Sequence, residues 1–174
     1  MSGHGSIGKH SLNKLAIHYA SEYSGYGPVK SNEKGLTYFT IRDLPDTGAW
    51  YLPESYDTIK KNIAKVQLHG QNLTPTSPEE LLSLQEEQLN VSIAPTASGI
   101  AAWVFKAPAN WQGRINHLPK PKGTRFYIIT EGNLIKDNEI LSKNSVLQTN
   151  AAEEIEIMCS DSGAELVILQ FKNK

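Results

Sequence analysis

From residue 91 onward the chain is a succession of short runs rich in apolar, β-branched and aromatic residues, separated by clusters of Gly, Pro, Asn, Asp and Ser. The runs fall at 91–94, 99–106, 124–131, 133–136, 145–149, 153–159 and 164–171. Segments of four to eight residues closed by turn chemistry are strands, and several at this spacing indicate an all-β sandwich or barrel. With 174 residues, one core can be buried without disulfides or metal. No internal repeat is visible, and two tandem barrels would be cramped in this length.

The first half is more mixed. Residues 1–10 are rich in Gly, Ser and His and offer nothing to bury, which predicts a mobile arm. Within it, His4 stands third after removal of Met1, and a free Ser2-Gly3-His4 terminus can wrap Cu(II) or Ni(II) in nitrogen ligands. Residues 12–23 carry Leu12, Leu15, Ala16 and Tyr19 at helical spacing and predict a short helix ending before Gly25. Strands are predicted at 36–41 and 48–52 around the turn at Asp46-Thr47-Gly48, and a helical turn at 56–64, followed by an apolar run at 66–68. The clearest helix lies at 77–89. Ser77 is its N-cap, Pro78 suits the first helical position and Glu80 completes a capping box, while Leu81, Leu82, Leu84 and Leu89 form its apolar stripe. The domain reading is an N-terminal arm over 1–35 and one β domain over 36–174.

A net charge of -1 leaves no basic excess to neutralise a phosphate backbone, which argues against a nucleic-acid partner. The longest apolar stretches, such as residues 100–105, are too short for a bilayer, and the N-terminus lacks the apolar run of a signal peptide. A soluble, cytoplasmic protein is expected. The single cysteine, Cys159, excludes an internal disulfide and suits a reducing compartment. Its place in the alternation Ile155, Ile157, Cys159 points to core packing.

Gly113-Arg-Ile-Asn-His-Leu-Pro119-Lys-Pro121-Lys-Gly-Thr-Arg125 through Gly132 resembles the first cupin motif, G-x5-H-x-H-x3-E-x6-G, in its spacing. Both glycines are present, but the two histidine positions are Pro119 and Pro121 and the glutamate position is Arg125. Residues 143–154 similarly resemble the second motif, G-x5-P-x-G-x2-H, with Lys143-Asn144 where Gly-Asp is frequent and Glu154 at the histidine position. The resemblance covers about a third of the chain. It implies an all-β, RmlC-like fold: a single double-stranded β-helix (jelly-roll) barrel with an N-terminal extension and one or two short helices.

The resemblance also implies a site. Proline brings no side-chain donor and a guanidinium repels a divalent ion, so no cofactor is expected in the usual metal position. Positions that ligate one ion lie close together, so Arg125 and Glu154 are expected as neighbours, paired directly or sharing a ligand. A register slip of one residue in the second motif would instead place Ile155 there and turn Glu154 outward. Alternation puts Tyr127 and Ile129 on Arg125's face and Phe126 and Ile128 on the other. Trp103 reads as core, and Trp111, in the loop before the motif, as a candidate ligand contact.

Three functions follow. The first is binding of a small polar or anionic molecule through Arg125, Tyr127, Glu154 and Trp111, the guanidinium fork gripping a carboxylate or phosphate. The second is an enzyme, either metal-free acid-base chemistry with Tyr127 and His117 or a metal centre built from the non-standard pair His69 and His117. The third is structural, with a filled barrel and an N-terminal region that extends a dimer sheet. A homodimer is the expected assembly.

Overall fold

A computed structural model describes residues 2–43, 50–60, 65–71, 73–115, 117–151 and 153–172. The chain forms two compact units, residues 1–72 and 73–174, a division later than the expected boundary after residue 35. Among the described residues no helix is long and apolar enough to cross a membrane.

The first unit departs most from expectation. Strand β1 (Ser2–Ile7) lies between β2 (His10–Leu12) and β4 (Val29–Thr37), both antiparallel to it, so the stretch expected to be a mobile arm is a central strand. Its glycines allow this. A side chain at Gly5 would begin only 2.1 Å from the Lys30 carbonyl oxygen, so the small residues read as flexibility serve close backbone approach. Instead of a helix over 12–23, the chain turns and enters β3 (His18–Ala20), which pairs with β5 (Gln67–His69). The strand predicted at 36–41 begins earlier and ends at Thr37 within β4. Of the strand predicted at 48–52, residues 48 and 49 lie outside the described residues, and 50–52 form no strand. The turn at 46–48 and residues 61–64 also lie outside them. The predicted helical turn contains α1 (Tyr56–Ile59).

The second unit is the expected all-β body. Helix α2 (Pro78–Ser83) opens it with the predicted capping box: Glu80 N–H donates to Ser77 Oγ, and Ser77 N–H donates to Glu80 Oε2. It ends six residues early. Leu84, Leu89 and the residues between them leave the helix, and Leu89 joins β6 (Gln88–Ile93). The remaining strands are β7 (Ala101–Ala107), β8 (Gln112–Gly113), β9 (Arg125–Lys136), β10 (Glu139–Leu141), β11 (Val146–Thr149) and β12 (Ile157–Gln170). They form one seven-stranded antiparallel sheet in the order β10-β9-β12-β7-β6, with β11 also pairing β9 and β8 also pairing β12.

Register shifts of the β-bulge kind bend the two longest strands of the sheet. The sequence predicts two strands for each, and each is one strand whose inward face changes parity. On β9 the core residues are Tyr127 and Ile129, then Leu134; on β12 they are Ile157 and Cys159, then Ala164, Leu166 and Ile168. Register slips between Glu165 and Leu166 and between Cys159 and Ala164 shift the two-residue alternation. Around these bends Trp103, Phe105 and Ala107 of β7 complete a continuous core.

The outer face of the same ladder holds Glu165, 0% exposed. Its carboxylate accepts from Thr76 N–H at 2.9 Å, Thr76 Oγ at 2.6 Å and Thr130 Oγ at 2.8 Å, with Lys106 Nζ at 3.9 Å. Buried carboxylates require this degree of satisfaction. The bond fastens the segment before α2 to the sheet.

Gly132 sits at the bend with φ +69°, and a Cβ there would lie 2.1 Å from the Gly163 carbonyl oxygen. Gly132→Ala therefore meets both left-handed backbone strain and a backbone collision, and is expected to cost about 2 kcal/mol or more. The check is urea unfolding; an unchanged midpoint would show that β9 does not bend here.

Candidate functional site

At the end where β9 begins and β12 ends, three strands place side chains in one row. Arg125 is opposite Gln170 of β12 on one side and opposite Thr149 of β11 on the other. Directly opposed residues on neighbouring strands share a face, and this is the core face. One step inward the row becomes Ile168, Tyr127 and Leu147. The polar row thus caps an apolar interior.

Arg125 is only 3% exposed. Its Nε and Nη2 donate to Gln170 Oε1 at 3.0 and 2.7 Å, and Nη2 also donates to the Pro119 carbonyl. The guanidinium lies 5.5 Å from the Trp103 ring, a cation–π distance. Gln170, 4% exposed, is fixed in turn by donating to the Gly99 carbonyl. Thr149 Oγ1 is buried with no hydrogen-bond partner among the described residues.

The expected direct pair of Arg125 and Glu154 does not form. Glu154 accepts from Arg114 Nη1 at 3.1 Å, and Gln170 takes the place assigned to it at Arg125. Glu154 falls in the irregular stretch before β12, so strand alternation does not aim it inward. The two residues nevertheless line one pocket of about 280 Å³, with Arg114, Tyr127 and Pro119 and an apolar side of Ile115, Leu118, Ile155 and Ile157.

The other candidates are placed differently. Trp111 is half-buried and packs edge-on against Phe105 at 5.2 Å, and its carbonyl accepts from Cys159 N–H at 2.8 Å; it is not among the pocket-lining residues. His117 is exposed in the loop between β8 and β9 and does not line the pocket either. His69 has histidine partners, but they are His18, whose Nδ1 is 3.2 Å from His69 Nδ1, and His10, whose ring stacks on it. Trp103 is core, as expected.

Two residues that matter here were missed. Gln170 carried a signal: it is the one polar residue in the inward series Ala164, Leu166, Ile168, Gln170. Arg114 carried none, since a loop side chain's direction is not set by periodicity.

The positions matching a cupin metal centre do not fit one. Pro119 presents only a carbonyl, already used by Arg125; Arg125 is itself a cation in the ligand position; and Glu154 is committed to Arg114. Burial raises the Cys159 thiol to about 12, so it offers no thiolate near neutrality. Native protein at pH 8 is expected to resist iodoacetamide, with alkylation appearing only on denaturation. Rapid modification of the folded protein would contradict the packing assigned to β12.

No family model and no curated protein sequence matches the chain. Solved structures similar to it include Rhodobacter sphaeroides SigE in complex with the anti-sigma ChrR (9% identity, TM-score 0.38), matched over 49% of this chain and 44% of that one. An RmlC-like cupin protein from Desulfovibrio desulfuricans is 13% identical over 49% of this chain and 83% of its own, with TM-score 0.38. A cupin superfamily protein from Desulfitobacterium hafniense is 16% identical over 60% and 98%, with TM-score 0.39. The chain therefore spans less than half of the first of these. The all-β character of the second unit rests on its own strand pairing.

Proposed function

We propose that the second unit binds a small anionic molecule, a carboxylate or phosphate, in the pocket beside Arg125. One observation carries this reading. Arg125 is a buried cation whose acceptors are neutral, an amide oxygen and a carbonyl, and no carboxylate pairs with it among the described residues. Buried charge is costly unless it is paired. A bound anion supplies the missing partner, and the guanidinium's remaining Nη1 donors have no protein partner among the described residues.

Three features support the reading. Arg114 and Glu154 neutralise each other at the rim, so the pocket keeps the net positive charge of Arg125. The orphaned Thr149 hydroxyl lies in the same cross-strand row and offers a further donor. A volume of about 280 Å³ is close to the lower end of small-ligand sites, unlike the filled interior a purely structural role requires. The acid-base reading is less favoured, because His117 is exposed and outside the pocket lining while Tyr127 is within it.

Thermal unfolding tests the reading, with malonate and phosphate compared against uncharged malonamide at constant ionic strength. At about ten times Kd, the anion that fits is expected to add roughly 1.4 kcal/mol, a rise of about 3–5 °C for a chain this size. Arg125→Met is expected to abolish the rise and Arg125→Lys to keep part of it. Equal shifts with malonamide, or a full shift in Arg125→Met, would overturn the assignment.

A further inference from the structure

The first unit brings three of the chain's five histidines into ring contact from three separate strands. His18 on β3 and His69 on β5 are directly opposed in the antiparallel register. Their rings are 4.4 Å apart between centroids, with Nδ1 to Nδ1 at 3.2 Å. His10 on β2 stacks on the other side of this pair, its ring 3.4 Å from that of His69 and inclined by only 19°. Tyr26 lies against His18 at 5.5 Å.

Backbone hydrogen bonds bracket this arrangement on both sides. Gly70 N–H donates to the Ile17 carbonyl at 2.8 Å on one side of the His18/His69 rung, and Ser21 N–H donates to the Val66 carbonyl at 2.9 Å on the other. His18 Nε2 is buried with no partner among the described residues. The tautomer that avoids stranding an N–H there carries the proton on His18 Nδ1 and donates it to His69 Nδ1. Two lone-pair directions therefore converge on one point, with a single proton between them.

We propose that His18 and His69 form a transition-metal site in which an ion of the zinc, copper or nickel class replaces that shared proton. Two nitrogens bound tetrahedrally at about 2.0–2.1 Å lie about 3.3 Å apart, close to the 3.2 Å already present. As the ion binds, the proton on His18 Nδ1 passes to Nε2, so both rings coordinate as neutral imidazoles through Nδ1, and the metal bond must offset an Nε2–H that has no partner among the described residues. Among the described residues no three His, Cys, Asp or Glu side chains already surround one point. The pair is accordingly the anchor, and water fills the open positions. Imidazole donors suit this class of ion, in contrast to the oxygen sets that calcium and magnesium require.

The proposed partner of His69 is His18, which the fold sets on the same rung, rather than His117.

The test is calorimetric titration of the chelator-treated full chain, without a histidine tag, with zinc chloride at pH 7.5. Zinc is used because it is redox-inert and takes imidazole nitrogens readily. The expected result is one equivalent bound, weakened tenfold or more by His18→Ala and by His69→Ala and unchanged by His117→Ala. Nitrogen-15 spectra of the wild type, which need no variant to fold, are expected to show the Nδ1 resonances of His18 and His69 moving together up to one equivalent. Absence of binding up to millimolar zinc, movement of His117 in place of the pair, or undiminished binding in both alanine variants would overturn the site. None of these results depends on the anion pocket of the second unit.

Discussion

The last rung of the β9–β12 ladder joins Arg125 to Gln170, and the arrangement of the second unit's open end depends on it. Gln170 accepts from two guanidinium nitrogens and donates to the Gly99 carbonyl ahead of β7. Arg125 in turn draws in the Pro119 carbonyl from the loop before β9. One amide–guanidinium contact therefore ties two adjacent strands, the approach to a third and the pocket's proline wall. The polar row it belongs to lies directly above the apolar layer of Tyr127, Ile168 and Leu147, so the interior changes from dry to polar within one residue step.

The same ladder contains a contrasting buried charge. Glu165 and Arg125 lie on its opposite faces, and both are almost wholly shielded from water. Glu165 accepts three hydrogen bonds and has Lys106 within ion-pair distance; its charge is met by the protein, and its effect is to hold the segment before α2 in place. Arg125 has hydrogen bonds but no opposite charge among the described residues. The first is complete as a structural device, and the second is where the proposed function places an anion. Because both sit in one sheet, the difference reflects the groups provided to each and not the depth of burial.

Much of the second unit was legible because strand alternation and turn chemistry are local. The capping box at Ser77 and Glu80, the burial of Trp103 and Cys159, and the inward face of Arg125, Tyr127 and Ile129 all follow from short-range rules. What alternation cannot show is where it changes phase. The slips near Gly132 and Gly163 joined runs that looked like separate strands. Glu154 lies before the ladder begins, so motif spacing placed it near the pocket without giving its partner. In the first unit, glycine-rich sequence was read as an arm because little of it can be buried; the backbone pairing it makes with residues 29–37 is long-range and leaves no periodic trace. The histidine cluster was hidden for the same reason, since 51 residues separate His18 from His69.

Arg125 is a buried cation without a counter-charge among the described residues, and Gln170→Glu tests this most directly. This substitution puts a carboxylate where Arg125 now meets an amide, with little change in volume, although the Gly99 carbonyl loses its donor. Measured by urea unfolding in a buffer without carboxylates or phosphate, at pH 7, the variant is expected to be more stable than the wild type, because a charge-assisted pair replaces a neutral acceptor. A variant equal to or less stable than the wild type would contradict the account and remove the reason for an anion at this site.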